Sequence, residues 1–169
     1  MNLRSILLCA LFVSSDSGVG RAVDLVDGAF ELPVGFHIYR AAGPELSGGS
    51  YALTFDGEGR LLVGDGNAVR RLIDKDGDGV FDSFEIIATG LGWRGPQGLL
   101  VHDDTLYAVG GDGIQVFDGY KSEKPLVHTG RIGNKLNTGG DHDAHTIFRG
   151  HDGWLYFMAG NGAGIEDRN

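Results

Sequence analysis

Three segments of this chain share one local design: a short apolar strand, a polar turn, a second strand carrying an aromatic or aliphatic pair, and a glycine exit. They are YALTFDGEGRLLVGDGN from Tyr51 to Asn67, QGLLVHDDTLYAVGGDG from Gln97 to Gly113, and DHDAHTIFRGHDGWLYFMAGNG from Asp141 to Gly162. Aligned on Leu61, Leu106 and Leu155, the copies recur after 45 and then 49 residues. That period is too long for a leucine-rich or ankyrin unit and suits a four-stranded propeller blade. The repeat predicts an all-β fold, a partial β-propeller with about three of roughly six four-stranded blades.

Alternation of apolar and polar residues between turn formers places the strands. Blade one is predicted from about Ser50 to Gly90, with strands at Tyr51–Phe55, Arg60–Val63, Ala68–Ile73 and Phe84–Ala88. Blade two has runs at Gly98–Val101, Leu106–Val109, Ile114–Phe117 and Pro125–Thr129, and blade three has Thr146–Phe148 and Trp154–Met158. Upstream, Phe36, Ile38 and Arg40 alternate with His37, Tyr39 and Ala41, which suits an outer strand that closes the ring. Trp154, Tyr156 and Met158 alternate with Leu155 and Phe157, which predicts a strand buried between neighbouring blades. Thirty glycines in 169 residues supply tight turns, while only four prolines and no Gly-x-y period exclude collagen and low-complexity disorder. Because a closed ring needs at least about four blades, the chain reads as the N-terminal part of a longer propeller. The outer face of blade three would then be exposed, and the part would associate or be unstable alone.

Residues 1–22 read as an export signal and residues 23–169 as the incomplete propeller domain. The signal begins MNLRSILLCALFV, with Arg4 ahead of a short apolar run and a Ser- and Gly-containing segment through Ala22. A buried first strand or helix is the alternative, and the run is far shorter than a membrane-spanning helix. The expected location is exported, periplasmic or cell-envelope associated. The single cysteine, Cys9, forms no internal disulfide or multi-cysteine metal site, and the leucine before it is larger than lipidation sites usually carry. A formal net charge of −9, with 14 scattered basic residues, argues against a nucleic-acid partner.

Between the third and fourth strands of blade one lies DKDGDGVFDSFE, Asp74 to Glu85. Read as a twelve-position loop, it has Asp74, Asp76, Asp78 and Asp82 at positions 1, 3, 5 and 9, Gly79 at 6 and Glu85 at 12. Carboxylates on alternate residues can converge on a hard cation, Val80 can add its carbonyl, and Glu85 can close the shell. The flanking segments read as strands rather than the helices of an EF-hand. Calcium stapling a hairpin is one reading, and a solvated acidic turn the other.

Asp141, His142, Asp143 and His145 place two imidazoles and two carboxylates within five residues, before the first strand of the third copy. Three readings fit. His142 could be a general base oriented by Asp141 or Asp143, since imidazole changes charge near neutral pH. Asp141, His142 and His145 could ligate a transition metal with further ligands from elsewhere. The aspartates could simply cap backbone amides of a turn. Arg94 and Gln97 occupy the equivalent position ahead of the second copy and are pocket candidates, and Lys135 could meet an anionic group there. Arg70 and Arg71 read as strand-edge charges. His37, His102, His128 and His151 read as surface or packing residues.

The stretch GGDHDAHTIFRGHDGWLYFMAGNG resembles the quinoprotein soluble glucose dehydrogenase and sorbosone dehydrogenase propellers, in which an Asp-His pair precedes a strand, a Gly-x-Asp-Gly turn and a Leu-Tyr strand ending in Gly-Asp or Gly-Asn. It is also similar to the propeller part of large exported dehydrogenase-type proteins of planctomycete-type bacteria. The resemblance covers about Phe36–Asn169 and is sharp over Gly139–Gly162. It implies a quinone-dependent dehydrogenase acting on a sugar or polyol with pyrroloquinoline quinone and Ca2+. His142, beside Asp141, would take the substrate hydroxyl proton, and Gln97 would correspond to a pocket glutamine that binds the cofactor; Arg94 and His145, the latter standing where the family often has glycine, are cofactor-binding candidates by their positions ahead of the strands. It also implies a C-terminal cytochrome-type domain in the complete chain. A carbohydrate- or protein-binding propeller without enzymatic activity, stabilised by calcium, is the alternative.

Overall fold

The computed structural model describes residues 33, 34, 38–122, 125–133 and 135–165. The predicted export signal, Cys9 and the Phe36–His37 part of the upstream strand lie outside the described residues. The described elements are one helical turn, α1 (Pro44–Ser47), and ten strands: β1 (Ala52–Phe55), β2 (Leu61–Asp65), β3 (Ala68–Ile73), β4 (Ser83–Thr89), β5 (Gly98–His102), β6 (Thr105–Gly110), β7 (Gly113–Asp118), β8 (Val127–Ile132), β9 (Ala144–Arg149) and β10 (Leu155–Ala159). Each strand predicted in the three copies is present, its ends displaced by a few residues at most; of the upstream strand, the described residues 38–41 form no strand and carry only an isolated bridge at Tyr39. The strands form two four-stranded sheets in simple order, β1-β2-β3-β4 and β5-β6-β7-β8, and the hairpin β9-β10. All pairings between these strands are antiparallel, an isolated parallel bridge joins Thr138 to Ala144, and no sheet closes on itself. No helix among the described residues is long and apolar enough to cross a membrane.

Successive side chains of a strand point to opposite faces, so β2 sends Leu62 one way and Leu61 and Val63 the other. Leu62, Val69 and Ala88 of the first sheet meet Leu99, Leu106, Ala108 and Phe117 of the second in one buried cluster. The other face of the second sheet places Leu100, Tyr107, Val109 and Ile114 against Ala144 and Ile147 of the hairpin, with Leu136 and Ala163 from adjoining loops. On the far side of the first sheet, Leu61, Val63 and Leu72 are covered by Tyr39, Ala41, Ala42 and Leu46. The order is therefore cap, first sheet, second sheet, hairpin.

Arg70 and Arg71 are not edge charges. Both stand on the internal strand β3, where Arg70 lies 4.3 Å from the centroid of the Phe84 ring and pairs with Asp65. Arg70 also donates to the carbonyls of Glu45 and Leu46, at 3.2 and 2.8 Å, and so fastens the cap to the sheet. Arg71 pairs with Glu85, its cross-strand neighbour on β4. His128 packs its ring on Phe117 and shares a 2.9 Å hydrogen bond with Gln115, which is a packing role.

The first strands of the three sheets lie side by side, and between β5 and β9 the approach is backbone to backbone. A Cβ built on Gly98 would stand 2.7 Å from the Cα and N of Thr146. The Thr146 N–H donates to the Gln97 carbonyl at 3.3 Å. Gly98→Ala should accordingly lower the unfolding free energy by about 1–3 kcal/mol, the usual cost of overpacking. Chemical denaturation reads this as a lower midpoint; an unchanged midpoint would show that β9 moves away from β5 without cost.

The burial predicted for the last strand needs correction. Trp154, Tyr156 and Met158 are 72, 44 and 62% exposed, respectively. Ala144 and Ile147 supply the hairpin's buried contacts, whereas Tyr156, Met158 and Phe148 line its outer face. No described element lies over that face.

Candidate functional site

Two loops that lead into first strands converge at one rim. The segment before β5 carries Trp93, Arg94 and Gln97; the segment before β9 carries Gly139 through Asp143. Arg94 Nη1 donates to the Gly139 carbonyl at 3.0 Å, and the guanidinium lies 4.3 Å from the Trp93 ring centroid. Gln97 Nε2 donates to the Arg94 carbonyl at 3.4 Å, while its own carbonyl holds Thr146. Arg94, Gln97 and the cluster ending at His145, singled out separately in sequence, thus belong to one place. A shallow groove of about 370 Å³ runs along β1, β5 and β9, lined by Tyr51, Leu53, Gln97, Gly98 and Thr146; it takes in Gln97 but not Arg94, His142 or His145.

The turn before β9 is pinned from both sides. Asp143 Oδ2 accepts the Gly140 N–H at 2.7 Å. The His142 carbonyl accepts the Gly162 N–H at 2.7 Å, and the Asp143 carbonyl accepts the Gly160 N–H at 2.9 Å. A Cβ on Gly160 would lie 2.3 Å from the His142 carbonyl oxygen, so the glycine exit after β10 lets the turn settle onto it. These bonds fix the backbone of His142 while its side chain stays exposed.

That arrangement changes two expectations. Asp143 spends its carboxylate on capping the turn, as the third reading of the cluster anticipated, and Asp141 offers its backbone carbonyl to His145 Nε2 at 3.2 Å. Since a carbonyl can only accept, Nε2 of His145 is the donor in this bond. Neither aspartate orients the His142 ring, which has no hydrogen-bond partner among the described residues. The transition-metal reading also loses its geometry. Among the described residues, the side chains of Asp141, His142 and His145 do not gather into a ligand group.

One residue at this rim had no mark in the sequence. Thr146 has φ 33°, a rare value for a β-branched side chain, and the β9-β10 register shifts there, leaving Thr146 unpaired between His145 and Ile147. It is a β-bulge, of the kind that re-aims neighbouring side chains next to functional sites.

The acidic loop after β3 forms a second candidate. Asp74, Asp76 and Asp78 bring one carboxylate oxygen each within 4.8 Å of one another. Asp74 accepts the Gly77 and Gly79 N–H groups at 2.8 and 2.9 Å, and Asp78 accepts the Val80 N–H at 2.8 Å. Gly79, at φ 85°, provides the left-handed pivot that the loop needs. Three converging carboxylates are an oxygen donor set suited to a hard cation such as Ca2+. Asp82 and Glu85 depart from the predicted ligand set: Asp82 accepts the Lys75 N–H at 2.9 Å, and Glu85 is held by Arg71. Because β4 already begins at Ser83, strand pairing rather than loop curvature decides where Glu85 goes. A cavity of about 350 Å³, lined in part by Tyr39, Phe55, Leu72 and Phe81, borders this loop and not the histidine cluster.

No family model matches the chain, and neither the curated proteins nor the solved structures include a significant match to it.

Proposed function

We propose that this chain is part of a propeller-type, quinone-dependent dehydrogenase that oxidises a sugar or polyol, with His142 as general base. The observation that carries the reading is the meeting of the Arg94–Gln97 segment with the turn before β9, joined by the hydrogen bonds of Arg94 to the Gly139 carbonyl and of the Thr146 N–H to the Gln97 carbonyl. Two four-stranded sheets and a hairpin, stacked with first strand beside first strand, are what successive blades of a propeller would give. The rim residues fit an anionic quinone in their donor chemistry. Arg94 uses one of its five N–H donors on Gly139, so others remain for a carboxylate, and Gln97 and His145 add further polar groups. A bound pyrroloquinoline quinone would supply the hydride acceptor. The chain's own part is to hold the sugar hydroxyl near His142 and to take its proton.

Asp74, Asp76 and Asp78, with the Val80 carbonyl, are proposed to hold Ca2+ as a structural staple of the β3-β4 connection. Calorimetric titration should show one calcium site that disappears in Asp78→Ala, with magnesium competing poorly because it demands near-ideal octahedral geometry, whereas carboxylates and a carbonyl supplemented by water satisfy the larger, more tolerant ion. An unaltered titration in the variant would remove the ion from this loop. Export, and electron transfer onward to a C-terminal cytochrome-type domain, belong to the same proposal for the complete protein.

Glycan binding without turnover is the second reading, favoured by Trp93. Its ring is 80% exposed beside the rim and offers an apolar face on which a sugar ring can stack. The two readings separate when the complete protein is supplied with pyrroloquinoline quinone and calcium, an aldose panel and an artificial electron acceptor. Quinone retention with acceptor reduction supports the dehydrogenase. Glycan binding with no quinone uptake overturns it in favour of the second reading.

A further inference from the structure

Strand β9 carries one residue more than its pairing needs. From Ala144 to Phe148 burial runs buried, half-buried, exposed, buried, exposed, and with Thr146 left out it alternates as a strand lying on a sheet should. The pairing says the same: His145 stands opposite Met158 and Ile147 opposite Phe157, with Thr146 between them and no partner. Ala144 and Ile147 hold both sides of this bulge against the second sheet. In a regular strand those two positions, three residues apart, would point to opposite faces.

The inserted residue is held in an unfavourable conformation and adds nothing to the core. Among the described residues Thr146 is the one β-branched side chain with a positive φ, a region that such side chains occupy least. It is exposed, and its hydroxyl has no hydrogen-bond partner among the described residues. What the bulge does is local. The Thr146 N–H reaches the Gln97 carbonyl, and Gly98, lacking a Cβ, lets the two backbones meet. Thr146 and Gln97 therefore stand side by side on the wall of the groove along β1, β5 and β9, whose other lining includes Thr54 and the apolar Tyr51 and Leu53. Hydroxyl and amide groups next to apolar side chains suit a neutral polyhydroxylated ligand, whose O–H groups need partners and whose C–H faces need apolar contact.

We infer that Thr146 is a specificity-determining residue: the bulge presents its hydroxyl, beside the Gln97 amide, to a hydroxyl of the bound sugar. The inference rests on the sugar-binding part of the proposed function and holds under both of its readings, with or without the quinone. His142 would take the proton of one hydroxyl, and Thr146 selects the sugar by another. A threonine hydroxyl both donates and accepts, so it can pair with a ligand hydroxyl in either sense. A site built around such a bond discriminates against the analogue that lacks the hydroxyl.

The test compares Thr146→Val and Thr146→Ser with the parent in the complete protein, by calorimetric titration with glucose and with its monodeoxy analogues. Valine keeps the β-branch and removes the hydroxyl; serine keeps the hydroxyl. Because the side chain is exposed, all three proteins should share one midpoint of denaturation. The parent should bind glucose about tenfold more tightly than one of the monodeoxy analogues, the factor expected for a single hydrogen bond. Thr146→Val should bind that analogue and glucose equally, at the weaker affinity, and Thr146→Ser should keep the parent's discrimination. Discrimination unchanged in Thr146→Val would overturn the inference, as would a parent that binds no glucose. So would equal losses in the valine and serine variants toward every sugar, which would make the residue a support for the strand. The dehydrogenase reading is tested separately by acceptor reduction with quinone present. Discrimination of the expected kind without acceptor reduction would remove the dehydrogenase and leave the role of Thr146 standing.

Discussion

Replacing Asp56 by alanine should lower the unfolding free energy by about 3 kcal/mol, the cost of breaking one side of a buried charged network. Asp56 follows β1, and its side chain is 1% exposed. Its Oδ1 accepts the Glu58 and Arg60 N–H groups, both at 2.9 Å, and its Oδ2 accepts Arg60 Nε at 2.7 Å and the Tyr120 hydroxyl at 2.8 Å. Tyr120 follows β7, so one carboxylate closes the β1-β2 turn and ties the first sheet to the second. Alanine would leave the buried Tyr120 hydroxyl and Arg60 Nε without this acceptor, while the guanidinium keeps Glu58 at 3.1 Å. Arg60 is 38% exposed and can turn to water, which is why the expected loss stays near the lower end for buried pairs. Tyr120→Phe removes only one of the four bonds and should cost about 1 kcal/mol. Equal midpoints of denaturation for Asp56→Ala and the parent chain would show that the sheets hold together without this tie.

The same network sets the pH limits of the gain. Burial pushes the Asp56 carboxyl upward, but hydrogen bonds from Arg60, Tyr120 and the two backbone amides outweigh it and hold the group below its ordinary value. A carboxyl depressed in the folded state stabilises above its unfolded pKa, about 3.9, and loses that contribution as pH falls through the folded value. The gap between parent and Asp56→Ala should narrow on acidification. Tyr120 works from the other side: burial, and then the Asp56 carboxylate, push its hydroxyl up to about 12. Its contribution should be complete below about pH 10, the unfolded value, and fade as pH rises toward 12.

The strands were legible because each apolar run is short, alternates, and ends in Gly, Asp or Asn, and no competing helical period exists over those windows. What failed was whatever depended on partners distant in sequence or on a neighbour's presence. The Asp56–Tyr120 bond joins positions 64 apart, and no local pattern marks either end. Arg70 looked like a surface charge because its partner is the four-residue turn α1, too short to show a period. Glu85 fitted the twelfth place of a calcium loop by spacing alone. The β3-β4 register, set by apolar neighbours such as Leu72 and Phe84, assigns it to Arg71 instead. The alternation around Tyr156 correctly gave a strand and its two faces, but alternation cannot say whether anything lies over a face. At the rim, the residue types were readable while their pairing was not. His142 stood out by composition, yet its freedom from Asp141 and Asp143 follows from a turn held by Gly140, Gly160 and Gly162.

That freedom shapes the outcome expected for catalysis. In the complete protein loaded with quinone and calcium, His142→Ala should lower kcat by about 10²–10⁴-fold, the usual contribution of a positioned acid–base group, with a smaller change in KM. A sugar hydroxyl cannot lose hydride readily while it keeps its proton, and His142 is the exposed imidazole of the turn before β9, with no hydrogen-bond partner among the described residues. Its backbone is fixed by the Gly162 N–H at 2.7 Å, so the variant loses the ring without losing the turn. Asp141→Ala is the informative partner. Asp141 reaches His145 through its carbonyl, which alanine retains, so this variant should stay within about tenfold of the parent, well short of a lost base. Exogenous imidazole should restore part of the turnover in His142→Ala, a rescue that a purely structural role would not permit. Turnover unchanged in His142→Ala would exclude it as the base, and a loss of quinone retention in place of turnover would make it a support for the cofactor.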